Sequence, residues 1–389
     1  MESKKFIAVT VVLYLSSLIS YYIQIKIIDL YGLQVKYYFD LYMSYLQITI
    51  TLAIFGLPNA LSLIVSREKK IPKNIKSFVF FCAVAASLTL NVFFLHGSLF
   101  VQALIFFFLY ASLFNDLNTG IMSSVGMFEY PRIWQLLGNI ALLVMVFIGQ
   151  FNDVLFSTLG ESERALIFIV TPIIPLFVVI NFGNKFKAKL ATYETISLFA
   201  VFKYINYIYI FSIMSIIMTR IPYVNFSRYI DKYSLAQYTL SLSLSNFIVI
   251  PLNVLALKML SSHMKEKPKI FLINSILLTL VFFSAITLYF FSMRFDFLHQ
   301  LTNISSFNIL ASTYLVVATV AISSVNLSVA LRMQKKIKHF LILDVILVAV
   351  VFLISFNLIY SFDDLSGYNY LIVSAVFVKI LFQNYLLRD

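Results

Sequence analysis

Long apolar runs alternate along the chain with short polar segments. Runs free of Asp, Glu, Lys and Arg cover 6–25, 41–66, 77–115, 133–152, 165–184, 204–219, 233–257, 270–293, 297–331, 345–362 and 365–378. An α-helix crosses the hydrocarbon core with about 20 mainly apolar residues, so each run of that length predicts a span. The run 77–115 is too long for one helix, and His96-Gly97-Ser98 divides it at a tight turn. The run 297–331 opens on the polar segment 299–303 and supplies one span. Extending several runs across an isolated charge predicts twelve spans, at 6–28, 41–66, 77–95, 98–125, 133–152, 165–183, 199–221, 234–257, 270–293, 309–331, 340–360 and 367–387. A β-barrel would need short strands alternating apolar with polar residues, which the run 41–66 contradicts.

Composition narrows the class further. Hydrophobic residues make up 61% of the 389 and charged residues 12%, with a mean hydropathy of +0.92. A soluble domain is nearer 45–50% apolar and about 25% charged, so soluble, disordered and disulfide-stapled classes are excluded. Cys82 is the single cysteine, which rules out an internal disulfide and a multi-cysteine zinc site. The histidines His96, His263, His299 and His339 fall in loops on opposite sides and predict no metal centre. The start of the chain leads into a run of spanning length without a small-residue cleavage site, so the first helix is expected to stay as an anchor. Every predicted loop is short and no glycine-rich phosphate loop occurs, so no nucleotide-driven pump, no cofactor and no enzyme activity is expected.

The net charge of +12 reads as a topology signal. With the N-terminus inside, the inner segments carry 20 Lys and Arg residues and the outer segments 6, while Lys26, Lys203 and Lys379 lie within spans. That bias predicts that both termini and the segments 67–76, 184–197, 258–269 and 332–339 are cytoplasmic. Attraction to anionic inner-leaflet lipid follows as a by-product. The basic residues are dispersed over short loops, so no nucleic-acid partner is expected.

Two halves share markers, as in transporters built from internal repeats. Lys26 and Arg220 close spans one and seven with an offset of 194, and Pro58 and Pro251 lie in spans two and eight with an offset of 193. A basic inner segment follows each proline. The predicted fold is therefore an all-α integral membrane protein of about twelve transmembrane helices, with six-helix lobes at 1–183 and 198–389 joined by a cytoplasmic linker at 184–197. Pro58 and Pro251 each interrupt a helix. They serve either packing geometry or a hinge on which the lobes rock around a central cavity.

Ionisable groups at membrane depth mark a pathway or a pair. Lys379 stands eight residues from the inner end of span twelve, about 12 Å along a helix. Asp116 lies in the polar run Asn115-Asp116-Leu117-Asn118-Thr119-Gly120 of span four. It fits three roles: a proton or cation coupling site, a partner for a basic residue, or a carboxylic acid kept neutral by burial. Lys26, Lys203 and Arg220 stand nearer helix ends, where cations snorkel to headgroups or line a cavity that lowers the barrier for an anionic group. Tyr204 and Tyr207 share a helix face, and Lys203 joins Tyr207 at i,i+4, a wall suited to a sugar-phosphate and equally to an interfacial helix end.

The segments FGLPNALSLIVSRE (55–68) and SSVGMFEYPR (123–132), with twelve predicted spans in two halves, resemble the multidrug/oligosaccharidyl-lipid/polysaccharide (MOP) exporter superfamily. The short loops and the abundance of Phe and Tyr resemble its bacterial O-antigen flippases, the Wzx type. That resemblance implies movement of an undecaprenyl-diphosphate-linked oligosaccharide from the cytoplasmic to the periplasmic leaflet of the bacterial inner membrane. Membrane lipids and other glycan-assembly membrane proteins are its implied partners. Lys26, Arg220, Lys379, Lys203, Tyr204 and Tyr207 are then the candidate substrate contacts, with Asp116 for a coupling ion and Pro58 and Pro251 as hinges. A cation-coupled multidrug exporter of the same superfamily is the alternative. A membrane O-antigen polymerase or glycosyltransferase is disfavoured by the lack of a large outer loop.

Overall fold

The computed structural model of the chain describes residues 2–54, 57–92, 99–125, 129–151, 159–172, 193–198, 201, 224, 227, 230–261, 276–286, 307–333, 337–358 and 365–387. The chain divides into two compact units, Met1–Val224 and Asn225–Asp389. The first holds helices α1 (Glu2–Ile54), α2 (Leu57–Glu68), α3 (Ile75–Leu90), α4 (Leu99–Ser124), α5 (Glu129–Phe151) and α6 (Glu161–Val170), with strands β1 (Lys70–Pro72) and β2 (Glu194–Ile196). The second holds α7 (Lys232–Ser261), α8 (Ile276–Ile286), α9 (Phe307–Met333), α10 (Ile337–Leu358) and α11 (Leu365–Leu387). The fold is all-α and spans the membrane several times.

One predicted loop is absent. Residues 29–40, expected to be an outer connection, are helical on both sides of Gly32, whose φ of 84° breaks the run. Only glycine enters that backbone region without strain. The helix resumes because Val35 and Lys36 are fully buried and because Lys36 and Asp40 neutralise each other across one turn. The charge pattern alone marks these two residues as an outer cation and an outer acid. They form a buried ion pair instead.

Apolar residues lie on the outside of these helices. On α1, Ile7, Val11, Leu15, Leu18 and Tyr22 form an exposed stripe, while Ser16 is buried. On α11, Val378, Leu381 and Tyr385 are exposed, while Asn369, Lys379 and Gln383 are buried. Water would reject that arrangement, whereas lipid chains accept the apolar stripe and leave polar groups to seek partners between helices. Asn139 on α5 does so, donating to the Ser16 backbone oxygen at 2.8 Å and to its hydroxyl at 2.9 Å.

Packing order checks helix direction. Asn369 on α11 bonds Ser312 on α9, and Gln383 bonds Asn326, so contacts ascend together with a constant offset of 57 residues. Helices α9 and α11 therefore run parallel, as one intervening crossing, α10, requires. In the first unit β1 pairs in parallel with β2, Lys70 opposite Glu194 and Pro72 opposite Ile196. That pairing brings the segment after α2 beside residues 194–196.

Candidate functional site

The second unit contains a polar seam. Leu365, Asn369, Ile372, Val376, Lys379 and Gln383 recur every three or four residues, which puts them on one face of α11, and all are buried. The Asn369 side chain donates to the Ser312 hydroxyl at 3.0 Å and the Thr313 hydroxyl at 3.1 Å. Those hydroxyls can accept because each donates its own proton to the Ile309 carbonyl. Further along, the Gln383 amide donates to the Ser323 hydroxyl and accepts from the Asn326 amide, both at 3.1 Å. Helix α7 packs on α9 and adds buried Gln237, Thr239, Ser241 and Ser245.

Lys379 sits within this seam, one helical turn before Gln383, with 7% of its surface exposed. Helices α7, α9 and α11 contain no Asp or Glu. The core they build is thus polar and encloses the Lys379 side chain. The Asn369 side-chain oxygen and the Ser241 hydroxyl are buried with no hydrogen-bond partner among the described residues.

The remaining described candidates of the first unit are Lys26, Asp116 and Pro58. Lys26 on α1 bonds Asp29 at 3.1 Å, with both side chains partly exposed, and its ammonium lies 5.6 Å from the Tyr22 ring centre. Asp116 is half-buried on α4, one turn before Gly120. A Cβ on Gly120 would lie 2.4 Å from the Pro58 carbonyl oxygen, so α4 meets α2 backbone to backbone. Pro58 occupies the first turn of α2, where its missing N–H is tolerated. Helix α7 runs through Pro251, whose side chain lies outside the described residues. Lys203, Tyr204, Tyr207 and Arg220 also lie outside them.

Two features escape the sequence reading although they carry a signal. The Lys36–Asp40 pair has helical i,i+4 spacing, but its charges place it in a loop. Asn369 and Gln383 fall on the same helical face as Lys379, yet only the charged residue stands out by composition.

Across its length the chain has the fold of MATE transporters of the MOP superfamily. The crystal structure of the Vibrio cholerae MATE transporter VcmN, in a mutant form, superposes with a TM-score of 0.66 over 99% of this chain and 96% of that one, at 13% identity. The MATE multidrug transporter DinF-BH, solved in a ligand complex, gives 0.65 over 99% and 94%, at 14% identity. A Pyrococcus furiosus MOP superfamily transporter, described as having a binding pocket of reverse polarity that suggests a different function, gives 0.52 over 98% and 94%, at 12% identity. No protein-family model and no curated protein sequence matches the chain.

Proposed function

We propose that this chain is a secondary transporter working by alternating access, and that its cargo is an anionic lipid-linked oligosaccharide. The transporter reading rests on a fold shared over nearly the whole chain with MATE proteins. The cargo reading rests on one observation: a lysine, Lys379, is buried within the polar seam of the second unit. A diphosphate is strongly disfavoured in hydrocarbon unless cations compensate its charge. The buried Asn369 oxygen and the seam hydroxyls offer partners to sugar hydroxyl groups. The superfamily relative with reverse pocket polarity supports this reading, because it indicates that the fold accepts pockets of different charge. Lys26, Arg220, Lys203, Tyr204 and Tyr207 belong to the same proposal as further substrate contacts, and Pro58 and Pro251 as its hinges.

A second reading, a multidrug exporter, is favoured by the multidrug transporters among the neighbours and by Asp116, a carboxylate available for ion coupling. Proteoliposomes separate the two. The purified chain should speed transfer of an undecaprenyl-diphosphate-linked oligosaccharide between leaflets, and Lys379→Gln should abolish most of that gain. Gradient-driven transport of the cationic dye ethidium with no effect on the glycolipid would establish the exporter reading instead.

A further inference from the structure

We propose that Asn246, at mid-depth on α7, is a hydrated contact for the neutral sugar groups of the cargo, an assignment that rests on the glycolipid reading above. The burial pattern of α7 singles this residue out. All seven residues from Leu235 to Ser241 are buried, so the helix is enclosed on every side over almost two turns. Asn246 is exposed, with Ser243 half-buried one turn before it on the same face. Val249 and Ile250 are then buried again. A lipid-facing stripe repeats every three or four residues, as Ile7, Val11, Leu15, Leu18 and Tyr22 do on α1. On α7 the positions that continue the face of Asn246 are closed, by Thr239 on one side and by Val249 and Ile250 on the other. The exposure is therefore a local notch and not a lipid face.

Depth and chemistry define what the notch can hold. Lys232 and Lys258 bracket Asn246 at about 21 and 18 Å along the helix. The run between them, 233–257, carries no charged residue. The hydrocarbon core is about 30 Å thick, so Asn246 stands near its middle. Its side chain makes no hydrogen bond to another described residue. An open amide at that depth is strongly disfavoured against lipid chains and is satisfied by water. Water held there can be displaced by a cargo group that reproduces its hydrogen bonds. The amide offers two N–H donors and a carbonyl acceptor without charge. That set matches the hydroxyl and acetamido groups of sugars. A diphosphate or a cationic drug calls for a charged partner, which the run 233–257 lacks.

Water access is measured on the full-length protein in liposomes, in a Cys82→Ala background, with a charged methanethiosulfonate reagent on both sides. Such a reagent attacks the thiolate, which forms in water and not in hydrocarbon. Asn246→Cys should be labelled, and Leu381→Cys, on the exposed apolar stripe of α11, should not. Loss of labelling at Asn246→Cys as complete as at Leu381→Cys would overturn the notch, whatever the cargo. The sugar contact is read from the affinity for undecaprenyl diphosphate with and without an N-acetylglucosamine disaccharide. Asn246→Leu should weaken binding of the sugar-bearing lipid by about two- to tenfold, the worth of one neutral hydrogen bond, and leave the sugar-free lipid unchanged. Equal weakening of both lipids, or of neither, would overturn the contact. An unmodified protein that binds neither lipid, while Asn246→Cys is labelled, would overturn the cargo reading and the sugar contact with it.

Discussion

Gly120 gives the sharpest quantitative test of the packing described above. In Gly120→Ala the new Cβ would stand 2.4 Å from the Pro58 carbonyl oxygen and 3.0 Å from its carbonyl carbon and Cα. Carbon–oxygen contacts settle at about 3.3–3.6 Å, so α2 and α4 must separate by roughly 1 Å. Overpacking of this kind costs about 1–3 kcal/mol. The upper part of that range applies because the obstructing atoms are backbone and cannot rotate away. Alanine returns up to about 1 kcal/mol of helix propensity, leaving a net loss of about 1–2 kcal/mol. Gly138→Ala supplies the control. Its Cβ would lie 3.1 Å from the Pro172 carbonyl oxygen, a strain that a shift of a few tenths of an ångström relieves. The propensity gain then leaves that variant near neutral. Trp134 is the only tryptophan and is buried in the first unit, so its fluorescence reports unfolding of the unit containing both glycines. Thermal melts in detergent should place Gly120→Ala about 3–8 °C below the unmodified protein. A melt unchanged by Gly120→Ala, or lowered more by Gly138→Ala, would refute the backbone contact.

Three further perturbations bear on the charged and polar groups. Lys36→Met or Asp40→Asn alone should destabilise the first unit by about 3–5 kcal/mol, because each leaves a buried charge without its main partner. Lys36→Met combined with Asp40→Asn should recover part of that loss on Trp134 melts, and a simple sum of the two single losses would disprove the pairing. Gln383→Leu should cost about 1–3 kcal/mol by removing its buried bonds to the Ser323 hydroxyl and the Asn326 amide, and adding Asn326→Leu should restore part of it in melts followed by circular dichroism. Asp231 caps α7 outside the spanning segments: it accepts the Ser234 N–H at 2.9 Å and its hydroxyl at 2.6 Å, and these bonds hold its carboxyl below the ordinary value. A depressed value in the folded state means stabilisation present above the unfolded value and lost as pH falls through the folded one. Asp231→Ala should therefore cost about 1 kcal/mol at neutral pH, and the gap to the unmodified protein should narrow as pH falls below the ordinary aspartate value of about 3.9; a gap constant with pH would refute the cap.

Span positions were legible because lipid imposes a length and an apolarity that few other environments demand. Helices α4, α7, α9, α10 and α11 begin and end within a few residues of their predicted spans. The failure at residues 29–40 has the same origin seen from the other side. Charges signalled a loop, but Lys36 and Asp40 cancel one another, and a neutral pair can be buried where a single ion cannot. The pairing of β1 with β2 was illegible for a different reason. Each strand is three residues long, and nothing local in Lys70–Pro72 announces a partner at Glu194–Ile196.

The candidate site was legible only in its charged member. Lys379 stood out because an ionisable residue at depth is costly, whereas Asn369 and Gln383 are ordinary in a span until their shared face is known. On that face the physics of the lysine changes. An isolated ammonium in lipid would be driven to snorkel, but Lys379 lies four residues before Gln383, whose amide is fixed by two bonds to α9. The stripe that faces outward on α11, Val378, Leu381 and Tyr385, is apolar enough to hold the helix in its rotational setting, which keeps the ammonium inward. The position of the charge is therefore set twice, by lipid on one face and by interhelical hydrogen bonds on the other. That double constraint is why loosening the seam through Gln383 should affect the ammonium as well as the packing, and why a substitution on the lipid face, such as Leu381→Ala, should leave both nearly untouched.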